Sequence, residues 1–394
     1  MRSNSWHTLM PISSIFIGLA TISLLIWTVL TFFWGAFWQL RGFDGDVSAP
    51  DSLPAWPSVA AIVPARNEAE TIARTVDSLV KQDYAGEFQV IVVDDQSEDD
   101  TVTLATEAAG VADRVTVMKA VDLQSGWTGK IGAMQQGVER ARVLGADYLW
   151  FTDADVVHAP DTLKRLVSRA ERQRLDLASL MVLLQANALP ERLLIPPFLY
   201  FFLMLYPPRW IAEPKARTAG AAGGCVLLRR TMLERFGGFA TMRAEVIDDC
   251  ALARAVKRSG GAIWMGLTRR SVSLRAYKTF GEICDLIART AFTQLGYSVL
   301  LLVGTLLGML LTFIVPPVFA FHPHPWVWRG SLSAWALMTI TYVPTARYYR
   351  LSALWAPLLP VAAAFYSYAT WLSAVRYWLG RGGQWKGRSQ APRS

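Results

Sequence analysis

Two long stretches without a formal charge decide most of what this chain can become. One covers residues 9–40 and the other residues 290–328. Both are longer than the roughly 20 apolar residues that cross a bilayer. Further apolar segments follow at 331–344 and 351–375. The chain is 53% hydrophobic with a mean hydropathy of +0.27, too apolar to be wholly soluble, and the excess lies in these segments. Between them the composition is that of an ordinary globular domain. The expected organisation is a membrane anchor and linker over 1–54, one domain over 55–285, and membrane helices with a basic tail over 286–394.

Arg2 precedes the first segment, as in a secretory signal, but the apolar run is too long and lacks a small-residue cleavage site, so a retained anchor is expected. Cys225, Cys250 and Cys284 are scattered, with no pair at metal-ligand spacing; neither a disulfide framework nor a zinc site is suggested, which favours a cytosolic domain. The net charge of +8 suits a domain held against anionic lipid and handling anionic substrates. Nucleic acid is not expected, because the basic residues are dispersed and no nucleic-acid motif accompanies them. Three C-terminal crossings would put the basic 345–350 run inside and the basic tail outside, against the positive-inside rule. One apolar segment is therefore expected to be re-entrant or interfacial.

From Val59 onward, short apolar runs alternate with helical patterns. "VAAIVPA", "FQVIVV", "RVTVMKA" and "YLWFTDAD" read as strands, and Ile72, Val76, Leu79 and Val80 share one helical face. Such alternation predicts an α/β fold with a largely parallel sheet and helices on both faces. Ligands then bind beyond the carboxyl ends of the strands. The polar clusters "PARNE", "DDQS" and "DAD" all follow strands, so they should converge on one edge. Neither GxGxxG nor a Walker loop follows the first strand, which argues against a Rossmann dehydrogenase and a P-loop enzyme. A charge-free run over 193–208, broken by four prolines, interrupts this pattern. Residues 190–210 are read as a segment in the membrane interface that brings a lipid to the site; a buried core helix is the alternative.

Asp153 and Asp155 flank the small Ala154 at a strand end. Paired carboxylates there suit Mg²⁺ or Mn²⁺, with water and substrate phosphates as the other ligands; turn chemistry and helix capping are the alternative. Asp94 and Asp95 end a second strand, where a carboxylate could accept hydrogen bonds from a base or a ribose. Asp99 and Asp100 are read as helix caps. Pro64, Arg66 and Glu68 follow the first strand, and Lys130 opens a helix where it could meet phosphate. Asp248 and Asp249 begin another helix; they either favour its dipole or supply a general base. Gly220, Gly223 and Gly224 precede an apolar strand and would allow close backbone approach to a ligand.

In this order and spacing, "PARNE", "VVDDQSEDDT", "GKIGAMQQG", "TDADV", "GGCVLLRRTMLERFGGF" and "DDCALA" resemble the family 2 glycosyltransferases, over about residues 58–270. "GWTGK", "RLLIPPFLYFFLMLYPPRW" and "IDDCALARAVKRSGG" are similar to the hopene-associated subfamily, a likeness that extends through the C-terminal apolar segments. The resemblance implies a metal-dependent, inverting enzyme with a GT-A fold, multi-pass in a bacterial-type inner membrane, its catalytic domain cytosolic. It implies a nucleoside-diphosphate sugar donor and a lipid acceptor, with a hopanoid as the subfamily-level expectation. Pro64, Arg66, Glu68 and Asp95 would line the nucleotide site, Asp153 and Asp155 would meet the nucleotide sugar and metal, and Asp249 would be the base. Gln96 and Asp100 stand where the family often has Gly, and Asp248 replaces the usual Glu beside Asp249. The Q-x-x-R-W motif of processive synthases is absent, which argues against a polymer synthase. Retention of Asp95, Asp153, Asp155 and Asp249 argues against a non-catalytic binding protein on a decayed domain.

Overall fold

The computed structural model describes residues 10–40, 53–122, 126–243, 245, 248–380, 384–385 and 388–389; at Asp248 it describes the backbone alone. Two compact units emerge. A helical unit draws on the described residues up to Leu40, on Ala186–Pro207 and on Tyr277–Gly380. A sheet unit takes the stretch up to Gln185 and then Pro208–Ala276. The region 55–285, expected as one continuous domain, is thus interrupted by residues 186–207.

The sheet unit's main sheet contains eight strands: β1 (Val59–Ala65), β2 (Phe88–Asp94), β3 (Val115–Lys119), β4 (Tyr148–Phe151), β5 (Val156–His158), β6 (Leu177–Leu183), β7 (Val226–Arg229) and β8 (Ile263–Ser273). Their order is β3-β2-β1-β4-β7-β6-β8-β5. The first four form a parallel half, and β6 also runs parallel to β8. The other half is mixed, because β7 is antiparallel to β4 and β6, and β5 is antiparallel to β8. β1 is buried along its whole length, as a central strand covered on both faces must be. Its odd residues, Val59, Ala61, Val63 and Ala65, share a core with Ile72, Val76, Leu79, Leu163 and Leu166 from two helices. Ile62 points to the other face and meets helix Gly129–Val143, where a Cβ on Gly137 would lie 2.5 Å from Ile62 Cγ2. Glycine at 137 is what lets that helix approach the strand.

Among the described residues, three helices, all in the helical unit, are long and apolar enough to cross a membrane: Ser13–Phe32, Val299–Phe319 and Ala353–Trp378. Helix Pro325–Tyr348 contains the 331–344 segment and is long enough, but it carries Arg329 and Arg347 and is not among those three. A wide turn at Leu310–Ile314 precedes Pro316. Pro316 has no N–H for the carbonyl of Thr312 four residues earlier, and the buried Trp27 indole donates to that carbonyl at 2.7 Å instead. Helix Leu189–Leu205 lies in this unit as well. Tyr200 bonds Thr341 at 2.8 Å, and the Tyr366 hydroxyl donates to the Leu194 carbonyl at 2.9 Å. Phe201 meets the rings of Phe313 and Tyr366. Tyr200 and Phe201, expected at a lipid surface, therefore face protein, while Phe198 and Phe202 are half-buried.

Candidate active site

Chain direction explains why so many polar residues meet at one edge of the sheet. Parallel strands β1, β2, β4, β6 and β8 bring the residues that follow them. Antiparallel β5 and β7 bring the residues that precede them: Phe151 at the end of β4 pairs with Val226 at the start of β7, and Val156 pairs with Ser273. Glu68, Asp94, Asp153, Asp155, Gly223 and Arg275 thereby share an edge.

Pro64 opens the pocket there. The β1–β4 ladder ends at Ile62, whose carbonyl accepts from Thr152 N at 3.2 Å. Pro64 faces the same side two residues later, where no ladder partner is needed, and this is where a central strand tolerates proline. Pro64, Lys130, Asp153, Gly223 and Asp249 line one pocket, with Phe151 and Val226 among its apolar walls. Five of the residues expected from the sequence are thus brought together. Arg66, Glu68, Asp94, Asp95, Gly224 and Asp155 do not line that pocket.

Most of those six do other things. The buried Arg66 guanidinium donates to the carbonyls of Asp95 (2.5 Å) and Gln96 (2.9 Å), lacing the loop after β1 to the loop after β2. Both oxygens of Asp94 accept from Ser97 N, at 3.3 and 3.2 Å. Asp95 is buried, and its backbone N–H donates to Ala65 at 2.8 Å. Gln96 adopts φ 56°, a conformation that favours glycine, and its amide donates to Asp122 at 2.7 Å. Asp99 behaves as the expected cap by accepting from Thr101 N and Ala69 N at 3.1 Å; Asp100 makes no side-chain cap bond. A Cβ on Gly224 would lie 3.0 Å from Val182, so glycine eases the packing there.

The carboxylates are paired with cations. Lys130 Nζ is 2.9 Å from Asp153 Oδ1. Arg275 Nε is 3.2 Å from Asp155 Oδ2, and its Nη2 is 3.0 Å from Glu68 Oε1. Burial, followed by the Asp153 carboxylate, pushes Asp155 up to about 6, with Arg275 pulling the other way. Asp249 is held by backbone amides. Its Oδ2 accepts from Gly223 N at 2.9 Å and its Oδ1 from Cys250 N at 2.7 Å. These two amides fix the carboxylate. Behind it, Lys257 donates to the carbonyls of Trp210, Ile211 and Thr218 (3.0, 2.8 and 2.7 Å), tying the start of the glycine segment to helix Asp248–Arg258. Asp248 opens that helix; its side chain lies outside the described residues.

Sequence reasoning missed Arg275 and His158. The polar run after β8 was the available signal for Arg275, and it passed unread because β8 itself was not assigned. His158 is wholly buried. Thr152 has one hydroxyl hydrogen, which goes to the Gly224 carbonyl at 3.0 Å. His158 Nε2 lies 2.8 Å from the Thr152 hydroxyl, and Nδ1 lies 2.8 Å from the Ser271 hydroxyl. Burial pushes this imidazole from 6.5 down to about 3, against a smaller opposing pull from Asp153. With a depressed folded pKa, the unfolded chain takes up the proton first. The His158 contribution to stability is therefore lost as pH falls from about 6.5 toward about 3, at ~1.4 kcal/mol per pH unit. His158→Gln keeps a polar side chain without a titrating group and is expected to flatten this acid limb. Thermal unfolding of both proteins between pH 7 and pH 4 checks it; parallel curves would show that the buried imidazole does not control it.

Residues 60–237 match the family model described as Glycosyl transferase family 2. An N-acetylglucosaminyltransferase of Mesorhizobium japonicum is 32% identical over 197 residues, covering 47% of this chain and 42% of that protein. A beta-monoglucosyldiacylglycerol synthase of Trichormus variabilis is 29% identical over 119 residues, 30% of this chain and 24% of that one. An undecaprenyl-phosphate 4-deoxy-4-formamido-L-arabinose transferase of Proteus mirabilis is 29% identical over 115 residues, 29% of this chain and 33% of that one. The chain spans less than half the length of these curated relatives. Among solved structures, a mannosyltransferase of Pyrobaculum calidifontis in complex with GDP-Man and Mn²⁺ superposes with a TM-score of 0.53 at 17% identity, covering 90% of this chain and 99% of that one. That likeness establishes the GT-A fold.

Proposed function

We propose that this protein is a membrane-bound, inverting glycosyltransferase that moves a sugar from a nucleoside-diphosphate donor to a lipid hydroxyl. The observation that carries the reading is that Asp249 lines the same pocket as Lys130 and Asp153. A fixed carboxylate thus stands across from a cation and a second carboxylate. In the reaction, the acceptor oxygen bonds to the anomeric carbon as the bond from that carbon to the diphosphate breaks. Asp249 takes the hydroxyl proton, and Lys130 faces the negative charge that leaves. One displacement from the face opposite the leaving group inverts the configuration.

The donor set fits a hard divalent ion. Asp153 and Asp155 offer only oxygen, and Asp155 is held above its ordinary range by burial and then by neighbouring negative charge, which a cation would offset. Among the described residues no group of three or more His, Cys, Asp or Glu is arranged to hold a metal. Phosphate and water would complete the shell, as Mg²⁺ and Mn²⁺ commonly require. When bound, such an ion supplies positive charge for the departing diphosphate. Relatives named for diacylglycerol and undecaprenyl-phosphate substrates support a lipid acceptor. The subfamily resemblance supports a hopanoid among those lipids. The three long apolar helices support a multi-pass protein, and the inner membrane with a cytosolic catalytic domain is part of this proposal.

The test is to incubate purified full-length protein with labelled UDP- and GDP-sugars, Mn²⁺ and either a hopanoid-containing lipid extract or none. Label is expected to move into the organic phase only with extract. Failure to consume any donor, with or without lipid, would sink the reading.

A further inference from the structure

We infer that Arg275 is the resident counter-cation of the carboxylate site, and that it passes to the donor diphosphate when a divalent ion takes its place. This rests on the function proposed above. Arg275 bridges two carboxylates from different parts of the sheet edge: Nε lies 3.2 Å from Asp155, and Nη2 lies 3.0 and 3.3 Å from the two oxygens of Glu68. Its base is pinned. Leu274 N donates to the Asp155 carbonyl at 2.7 Å, and Gln185 donates to the carbonyls of Ser273 and Leu274 at 3.2 and 2.9 Å. Its head is not. The Arg275 side chain is 32% exposed, against 14% for Asp155 and 12% for Glu68. A fixed stem with an accessible guanidinium suits a group that changes partners without moving the backbone.

Charge gives the exchange its direction. Around Asp155, Glu68 and Asp153 add two further carboxylates, while Lys130 and Arg275 supply two cations. A divalent ion on Asp155 would meet Arg275 as a like charge a few ångströms away, and the two compete for one carboxylate. The diphosphate arrives with further negative charge, and its paired oxygens match the planar fork of arginine. Arg275 thus weakens binding of the bare metal and strengthens binding of the diphosphate. A guanidinium that only braced the fold would support both.

The test uses full-length protein in detergent micelles, as parent, Arg275→Gln and Arg275→Lys. Binding of Mn²⁺ alone is read by the loss of its free-ion paramagnetic signal. Binding of UDP and GDP at saturating Mn²⁺ is read by calorimetry. In Arg275→Gln, Mn²⁺ is expected to bind about tenfold tighter and the better nucleotide about tenfold weaker, the scale of one unit charge at a half-exposed site. Arg275→Lys keeps the charge and should leave Mn²⁺ affinity near the parent value, which also controls for folding. Unchanged or weaker Mn²⁺ binding in Arg275→Gln overturns the assignment while the glycosyltransferase reading stands. A parent that binds neither Mn²⁺ nor either nucleotide overturns both.

Discussion

Asp249→Asn is expected to reduce turnover by roughly 10²–10⁴-fold, the range of a general base, while donor affinity stays within a few-fold. The asparagine keeps the shape but cannot accept a proton as a carboxylate does. Its side chain can also accept only one of the two amide hydrogen bonds, from Gly223 and Cys250, that now fix the carboxylate. A modest loss of stability, about 1 kcal/mol, should accompany the loss of turnover. Measuring turnover, nucleotide affinity and thermal unfolding on one preparation separates the two effects. If Asp249 served only its helix, asparagine would be an adequate substitute and activity would persist. Asp248→Asn is the internal control, with a milder loss expected. Activity surviving in Asp249→Asn and vanishing in Asp248→Asn would move the base by one residue.

The second large effect concerns metal. Chelation is expected to weaken nucleotide-sugar binding to the parent several-fold and to change it little in Asp155→Ala. The reason is local charge: Asp155 is mostly buried, and burial followed by the Asp153 carboxylate pushes it up to about 6. An ion that relieves this should bind best when both carboxylates remain. Calorimetric titrations with and without chelator decide the matter, and equal metal dependence in the two proteins would reduce Asp155 to a turn residue. The Lys130–Asp153 pair, at 2.9 Å, should keep Asp153 oriented in the variant. A loss confined to the metal-dependent component therefore points to Asp155 itself.

Much of this was legible in the amino-acid sequence because it depends on local rules. Length without charge marked the apolar helices, and the alternation of strands and helices marked the parallel half of the sheet. A strand that ends in carboxylates announced itself in "YLWFTDAD", whatever lay around it. Tertiary structure decided the rest. Gly223 and Gly224 precede a strand, which in a purely parallel sheet would put them at the opposite edge; β7 runs backwards and returns them to Asp153 and Asp249. Arg66 has the composition of a ligand-binding residue, yet its Nη1 donates to carbonyls 29 and 30 residues away, a pairing no local pattern encodes. Residues 189–205 read as apolar in isolation, and only their partners in the other helices show which rings meet protein. Arg275 reaches Glu68 across 207 residues of chain. The physical reason is common to all four: sequence spacing fixes what neighbours along one element can do, whereas strand direction and long-range pairing are settled only when the whole sheet closes.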